Sequence, residues 1–290
     1  LTVHAGDTLS PSLMSGFDRG KHIVALTNLI APDIFVSGNH EFDFGRDTFL
    51  ERMREAKFPL YGANLRLASG NPVPGHIDRR IFDFDGVKLG LTSRAKQQRM
   101  GVNFPFVAWL TDAMVLPVGD PVPQGKLIHP RIEPEIVFVM GERLEGPGIT
   151  CAQAMSAVES VWGGAEVIDS RYKNFRFTAG DVAADNASSG AFVTGPIGLP
   201  PSELDLALEA VLVEVDGVVV DSATGAAVQG HPGEALALAA NDLARRGHAI
   251  EAGWIVLTGG MTDAVFAPPG SSTALHFTNL GSVFLNGGEG

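Results

Sequence analysis

The chain has 290 residues, 45% of them hydrophobic and 19% charged, which is enough apolar material for one large or two ordinary soluble domains. Its net charge of −12 argues against nucleic acid or an acidic membrane surface as partner, but not against divalent cations. A single cysteine, Cys151, excludes an internal disulfide and fits a reducing, cytoplasmic setting. No apolar run reaches the ~18 residues of a membrane span. The chain opens Leu-Thr-Val-His with no signal-peptide pattern, so a segment before Leu1 is expected.

Residues 1–86 alternate between strand and helix patterns. TVHAGD ends a short apolar strand in Gly6-Asp7, and FDRGKHIVALTNLI carries apolar residues at helical spacing over 17–30. DIFVSGNHEFDFG reads as a buried strand running into a polar loop, RDTFLERMREAKF as an amphipathic helix, and PLYGANL as a third strand. That alternation predicts a parallel sheet with its functional loops at the strand C-terminal ends. Those loops hold Asp7 and Asn39-His40.

HAGDTLSPSLMSG followed by VSGNHEFDFG resembles the metallophosphoesterase fold of the 5′-nucleotidase family. The resemblance implies metal and phosphate roles for Asp7, Asn39 and His40. The family's Asp-x-His before the first motif and its later His-x-His are missing from the chain, so a vestigial, inactive site is expected.

From residue 87 onward strands dominate. LALEAVLVEVDGVVV is two strands about an Asp-Gly turn, and Gly233–Arg246 is an amphipathic helix ended by Gly247. AGWIVLTGG is a buried strand running into a glycine turn. HPRIEPEIVFVMG is a strand on which Glu133 and Glu135 face one way, about 6–7 Å apart. Two such carboxylates repel unless one is protonated or a cation lies between them; a solvated edge is the plainer alternative. GGAEVIDSRY adds Glu166 in another apolar run. Three oxygen ligands without His or Cys suit Mg²⁺ or Mn²⁺.

The ordered segments LTSRAKQQRMGV, LTDAMVL, IHPRIEPEIVFV, LEGPG, EVIDSRYKNFRF, ADNASSGAFVTG, GHP, AGWIVLTGGMTDAV and LGSV resemble the 2-keto-4-pentenoate hydratase and 4-oxalocrotonate decarboxylase family, within the fumarylacetoacetate hydrolase superfamily. The resemblance implies Mg²⁺ (or Mn²⁺) on Glu133, Glu135 and Glu166. It also implies Lys88 as an active-site group, Asp112 close by, and Ser188 lining the pocket. The implied substrate is a small 2-oxo acid. EVIDSRYKNFRF and TGGMTDAV favour decarboxylation of 2-oxo-3-hexenedioate to 2-hydroxypenta-2,4-dienoate in aromatic catabolism; hydration of that dienoate is the alternative. Association with a second copy or with a hydratase partner is a further implication. Taken without the resemblance, Lys88 reads rather as a solvated strand residue and His231 as a helix-entry residue, while Asp112 reads equally as a turn residue or salt-bridge partner and Asp185-Asn186 equally as an ordinary turn.

The stretch GVKLGLT is shared by both resemblances, and the chain is expected to be a chimera that changes family there. The expected class is α+β: a truncated α/β metallophosphoesterase-like segment over 1–86, then a mostly β, fumarylacetoacetate-hydrolase-like catalytic domain over 87–290. A lyase, a phosphoesterase remnant acting on nucleotides, and a non-catalytic scaffold are the three functions this organisation admits.

Overall fold

The computed structural model describes residues 3–62, 65–69, 71, 73–77, 86–90, 92 and 106–288. The chain divides into two compact units, Leu1–Asp83 and Phe84–Gly290.

The first unit is a parallel sheet of short strands in the order β1 (Val3–His4), β2 (Ile34–Val36), β3 (Leu60–Tyr61), β4 (His76–Ile77). Three helices accompany it: α1 (Leu13–Asp18), α2 (Lys21–Ile30) and α3 (Arg46–Glu55). The single helix expected over 17–30 is therefore two pieces. Arg19 and Gly20 both adopt left-handed backbone (φ 53° and 83°), which ends α1 and restarts the chain as α2. Leu9, Val24, Phe35, Phe49 and Met53 are the centre of this unit's core.

The second unit is built on a seven-stranded sheet. Along its path lie β6 (Phe106–Leu110), β5 (Gly86–Gly90), β12 (Ile255–Leu257), β7 (Arg131–Met140), β8 (Val158–Ile168) and β9 (Ser189–Leu199), with β13 (Val265–Phe266) also pairing β7. Only β5 and β12 run parallel. A four-stranded antiparallel sheet follows the order β11 (Val218–Thr224), β10 (Ala210–Val215), β14 (Ser272–Phe277), β15 (Ser282–Asn286). Asp216 and Gly217, both at positive φ, make the tight β10–β11 turn that the Asp-Gly pair predicts.

Two short helices, α4 (Cys151–Ser156) and α5 (Ala179–Ala184), and the longer α6 (Pro232–Arg245) complete the unit. Helix α6 is capped by His231, whose Nδ1 accepts the N–H of Gly233 at 3.0 Å. The Sγ of Cys151 lies 3.5 Å from the same nitrogen. The apolar stripe Leu236, Ala239, Ala240, Leu243 is fully buried, each leucine contributing roughly 1.5–3 kcal/mol.

Strand β7 positions the site through one irregularity. Pro134 has no N–H, and proline belongs at gaps in a ladder rather than within one. On that side of β7 the neighbouring chain leaves the sheet between β12 and β13, forming the loop Thr258–Thr262. Met261 N–H donates to Pro134 O (2.9 Å), and Thr258 Oγ1 donates to Ile136 O (2.8 Å). The loop is thereby pinned against the strand that carries the two glutamates.

Candidate active site

The three glutamates converge. Glu133 and Glu135 share one face of β7, and the β7–β8 register sets Glu133 directly opposite Glu166. One carboxylate oxygen from each lies within 4.8 Å of the other two. Glu135 is fully buried, Glu166 nearly so, and Glu133 half-buried. Burial, with Glu166 and Glu133 close by, pushes the Glu135 carboxyl well above the usual carboxylate range. Burial also raises Glu166, against the opposing pull of Lys88.

Lys88 comes from the middle of β5 and is buried, so the solvated-strand alternative does not describe it. Its Nζ forms a close ion pair with Glu166 Oε1 and donates to the backbone oxygen of Ala187 at 2.8 Å. That oxygen is aimed by an unusual turn. Asn186, Ala187 and Ser188 are all left-handed, at φ 48°, 53° and 58°. Each such residue costs roughly 1–2 kcal/mol, so other contacts must hold the turn. Asn186 pairs with both backbone groups of Trp109, accepting its N–H and donating to its oxygen, each at 2.9 Å. Asp185 is buried, accepts the Ser188 hydroxyl at 3.2 Å, and lies 3.2 Å from the Arg171 guanidinium. This is more than the ordinary turn that the sequence admits at Asp185-Asn186.

A cavity of about 120 Å³ opens over the acids. Lys88, Thr92, Glu133, Glu166 and Ser188 supply its polar wall; Phe106, Ile168, Phe175, Phe177 and Val182 supply the apolar one. Two glycines let the Thr258–Thr262 loop close on it. A Cβ at Gly260 would stand 2.4 Å from Glu133 Oε2. Gly259 has φ +104°, its N–H donates to Glu135 Oε2 at 2.6 Å, and a Cβ there would meet Thr92 Oγ1 at 2.0 Å. Thr92, Gly259, Gly260, Phe106, Phe175 and Phe177 are site residues that sequence reasoning did not single out. The TGG triplet signals a turn but not what the turn touches.

Asp112 is not brought to this wall. It opens a one-turn 3₁₀ helix after β6, is exposed, and accepts the N–H of its neighbour Ala113 at 2.7 Å; it is absent from the described residues that line the cavity. The Leu91, Ser93 and 94–102 part of the LTSRAKQQRMGV segment lies outside the described residues.

The donor set fits a hard divalent cation. Glu135 Oε1 is buried and lacks any hydrogen-bond partner. An acceptor-only oxygen in that position needs a proton or a cation, and the second satisfies all three acids at once. The all-oxygen set suits Mg²⁺ or Mn²⁺.

In the first unit, His40 N–H donates to Asp7 Oδ1 (3.1 Å), so the Gly6-Asp7 and Gly38–His40 loops do meet. Asp7 and Asn39 are exposed, and His40 Nδ1 is paired with Asp43 at 2.7 Å, which raises the imidazole. The buried Glu41 is occupied by backbone N–H groups of Asp7, Thr8, Leu9 and Gly38. Among the described residues, only Glu133, Glu135 and Glu166 form a group of three converging metal-ligating side chains.

Comparison with known proteins finds relatives of the chain among lyases. No protein-family profile matches the chain. The 4-oxalocrotonate decarboxylase of Pseudomonas sp. (strain CF600) is 46% identical over 198 residues, 68% of this chain and 75% of that one. The 2-hydroxyhexa-2,4-dienoate hydratase of Comamonas testosteroni is 36% identical over 228 residues, 78% of this chain and 82% of that one. Among solved structures, 4-oxalocrotonate decarboxylase from Pseudomonas putida G7, complexed with magnesium and adipate, matches with TM-score 0.69 and 44% identity over 70% of this chain and 78% of its own. The fumarylacetoacetate hydrolase of Exiguobacterium antarcticum shares the fold at TM-score 0.55 and 15% identity, over 71% of this chain and 76% of its own. The chain thus carries a fumarylacetoacetate-hydrolase-like fold with a cluster of three glutamates that could hold a cation. It belongs to the 4-oxalocrotonate decarboxylase and 2-keto-4-pentenoate hydratase family of lyases. No helix among the described residues is long and apolar enough to cross a membrane.

Proposed function

We propose that the protein is a Mg²⁺-dependent lyase that decarboxylates 2-oxo-3-hexenedioate to 2-hydroxypenta-2,4-dienoate. The observation that carries this reading is the convergence of Glu133, Glu135 and Glu166 beside a largely apolar cavity that Glu133, Glu166 and Lys88 line. The related decarboxylase's complex with adipate, a six-carbon dicarboxylate, supports a dioic acid as substrate.

A magnesium ion held by the three glutamates would supply Lewis-acid polarisation of the keto and carboxylate oxygens of a 2-oxo acid. The remaining work falls to the chain. The bond to the distal carboxyl breaks, CO₂ leaves, and the electron pair moves through the C=C into the keto group, where a proton is taken up. Lys88 Nζ, buried between Glu166 and the Ala187 oxygen, holds protons at the cavity wall and faces the side where that negative charge gathers. Ser188, whose hydroxyl hydrogen is directed at Asp185, presents oxygen lone pairs for orienting the substrate. Phe106, Phe175, Phe177 and Val182 keep water away from the leaving carboxyl. Hydration of 2-hydroxypenta-2,4-dienoate is the second reading, favoured by the identity to the hydratase branch. The apolar character of the described wall favours loss of CO₂ over addition of water.

The Gly6-Asp7 and Gly38–His40 loops of the first unit are read as a metallophosphoesterase-like remnant without phosphate release, the chain being a chimera of the two folds. That part rests on sequence motifs alone, as does association with a second copy or a hydratase partner, which size-exclusion chromatography tests. For the activity, the decisive experiment follows the ultraviolet absorbance of 2-oxo-3-hexenedioate with and without Mg²⁺, beside hydration of the dienoate and phosphate release from a nucleoside monophosphate. Mg²⁺-dependent CO₂ release is expected; turnover of the dienoate alone would replace the first reading by the second.

A further inference from the structure

Resting on the 2-oxo acid reading above, we infer that Arg131 is a specificity-determining residue that binds the distal carboxylate of a dioic substrate. Arg131, Glu133 and Glu135 occupy alternate positions of β7 and so share one face. Arg131 lies one strand repeat beyond Glu133, about 6–7 Å along the sheet, on the scale of the carbon chain joining the two ends of a six-carbon dioic acid. It stands behind the cavity wall, next to three residues that line the cavity. Glu133 follows it on the face, Ile168 is its cross-strand partner on β8, and the Phe175 ring stacks on it; all three line the cavity.

The guanidinium is held ready. Its carbon sits 4.2 Å from the centroid of Phe175 and 4.1 Å from that of Phe266, so two aromatic rings pack against it. A fork held in that way keeps its edges for in-plane hydrogen bonds, the geometry that grips a carboxylate with two prongs. Its Nε is buried and has no hydrogen-bond partner, and Arg131 makes no ion pair among the described residues. Phe175 is held at φ 53° beside Asn174 at φ 57°. Left-handed backbone under an aromatic residue is strained, and here it delivers the ring to Arg131.

Charge leads the same way. A 2-oxo dioic acid carries two negative charges, and the cation site answers one end. Lys88 is committed to Glu166. Among the described residues, Arg131 is the cation next to the cavity with no acidic partner to give up.

The test is calorimetric binding to the full chain saturated with Mg²⁺, comparing 2-oxohexanedioate with 2-oxohexanoate, which differ only in the distal carboxylate. Wild type is expected to favour the dioate about 10- to 100-fold, the range for a hydrogen-bonded charge pair. Arg131→Gln should bring that ratio to about one while 2-oxohexanoate binds as before. Arg131→Lys, which keeps the charge and loses the fork, should retain part of the preference, and the exposed Lys173→Gln should retain all of it. An undiminished ratio in Arg131→Gln, an equal loss for both acids, or the same effect from Lys173→Gln overturns the assignment. Should Arg131→Gln fail to fold by circular dichroism, an unaltered ratio in Arg131→Lys overturns it as well. Tight Mg²⁺-dependent binding of 2-oxohexanoate with no dioate preference in wild type removes the Arg131 role and leaves the lyase reading standing. If wild type binds neither acid, both go.

Discussion

Glu135→Gln tests the cation site most directly. The substitution is close to isosteric, and a side-chain oxygen remains to accept the Gly259 N–H that now reaches Glu135 Oε2 at 2.6 Å. What disappears is one charge of three. Two carboxylate oxygens 4.8 Å apart at an effective dielectric of 20 repel by about 3.5 kcal/mol. Lys88 offsets Glu166, so roughly one such repulsion bears on Glu135 in the metal-free protein. Attraction to a divalent cation is at least as large. The variant should therefore lose about 3–4 kcal/mol of binding, a Kd raised about 10²- to 10³-fold. It should fold as well as wild type or better, because the repulsion is gone. Titration calorimetry with Mg²⁺ and Mn²⁺, beside Tm without metal, reads both quantities. A wild-type Kd in the Glu135→Gln protein would refute the three-ligand site, and an unfolded metal-free variant would refute the claim that the charge strains the fold.

The remaining predictions concern the same cluster. Glu135 and Glu166 are raised in the folded state, so the metal-free fold gains stability from them at low pH and loses it as pH climbs through their folded values. Mg²⁺ needs both deprotonated; the rise in Tm on adding it should be larger at pH 8 than at pH 5.5, and equal shifts at both would contradict this. Lys88→Met leaves Glu166 buried without its partner and should cost about 3 kcal/mol in denaturant unfolding at pH 8, less at pH 6, with turnover lost even where Mg²⁺ restores the fold. Gly260→Ala puts a methyl group 2.4 Å from Glu133 Oε2, so that carboxylate must swing away. Mg²⁺ affinity should fall about 10-fold or more, on the scale of ~1.4 kcal/mol per decade, with little change in Tm.

The period of a strand made part of this site readable. Glu133 and Glu135 fall two apart in an apolar run, and alternation alone puts them on one face. Glu166 is different. Its apolar run singles it out as a third acid, but its partnership with Glu133 is a matter of register between β7 and β8, which a single sequence does not display. Lys88 in isolation looks like any solvated strand lysine; only the long-range contact with Glu166 makes it a buried cation. Nothing local marks Asn186–Ser188 as three left-handed residues, because the contacts that sustain them come from Trp109 and Arg171. The exposed placement of Asp112 was likewise hidden, since β6 ends at Leu110 and the chain turns into a 3₁₀ helix at Asp112, where strand alternation no longer applies. In the first unit, helical spacing over 17–30 was genuine, but the Arg19-Gly20 break outweighed it.

Pro134 and the glycines that face it also bear on how the molecule is made. All three acids lie within the contiguous β7–β8 part of the chain, whereas Gly259 and Gly260 belong to its last stretch. During synthesis the carboxylates leave the ribosome well ahead of the backbone that will cover them. Closure of the glycine loop over the acids therefore waits for residues far along the chain from Glu166, and the pocket is completed by the part of the chain that is made late.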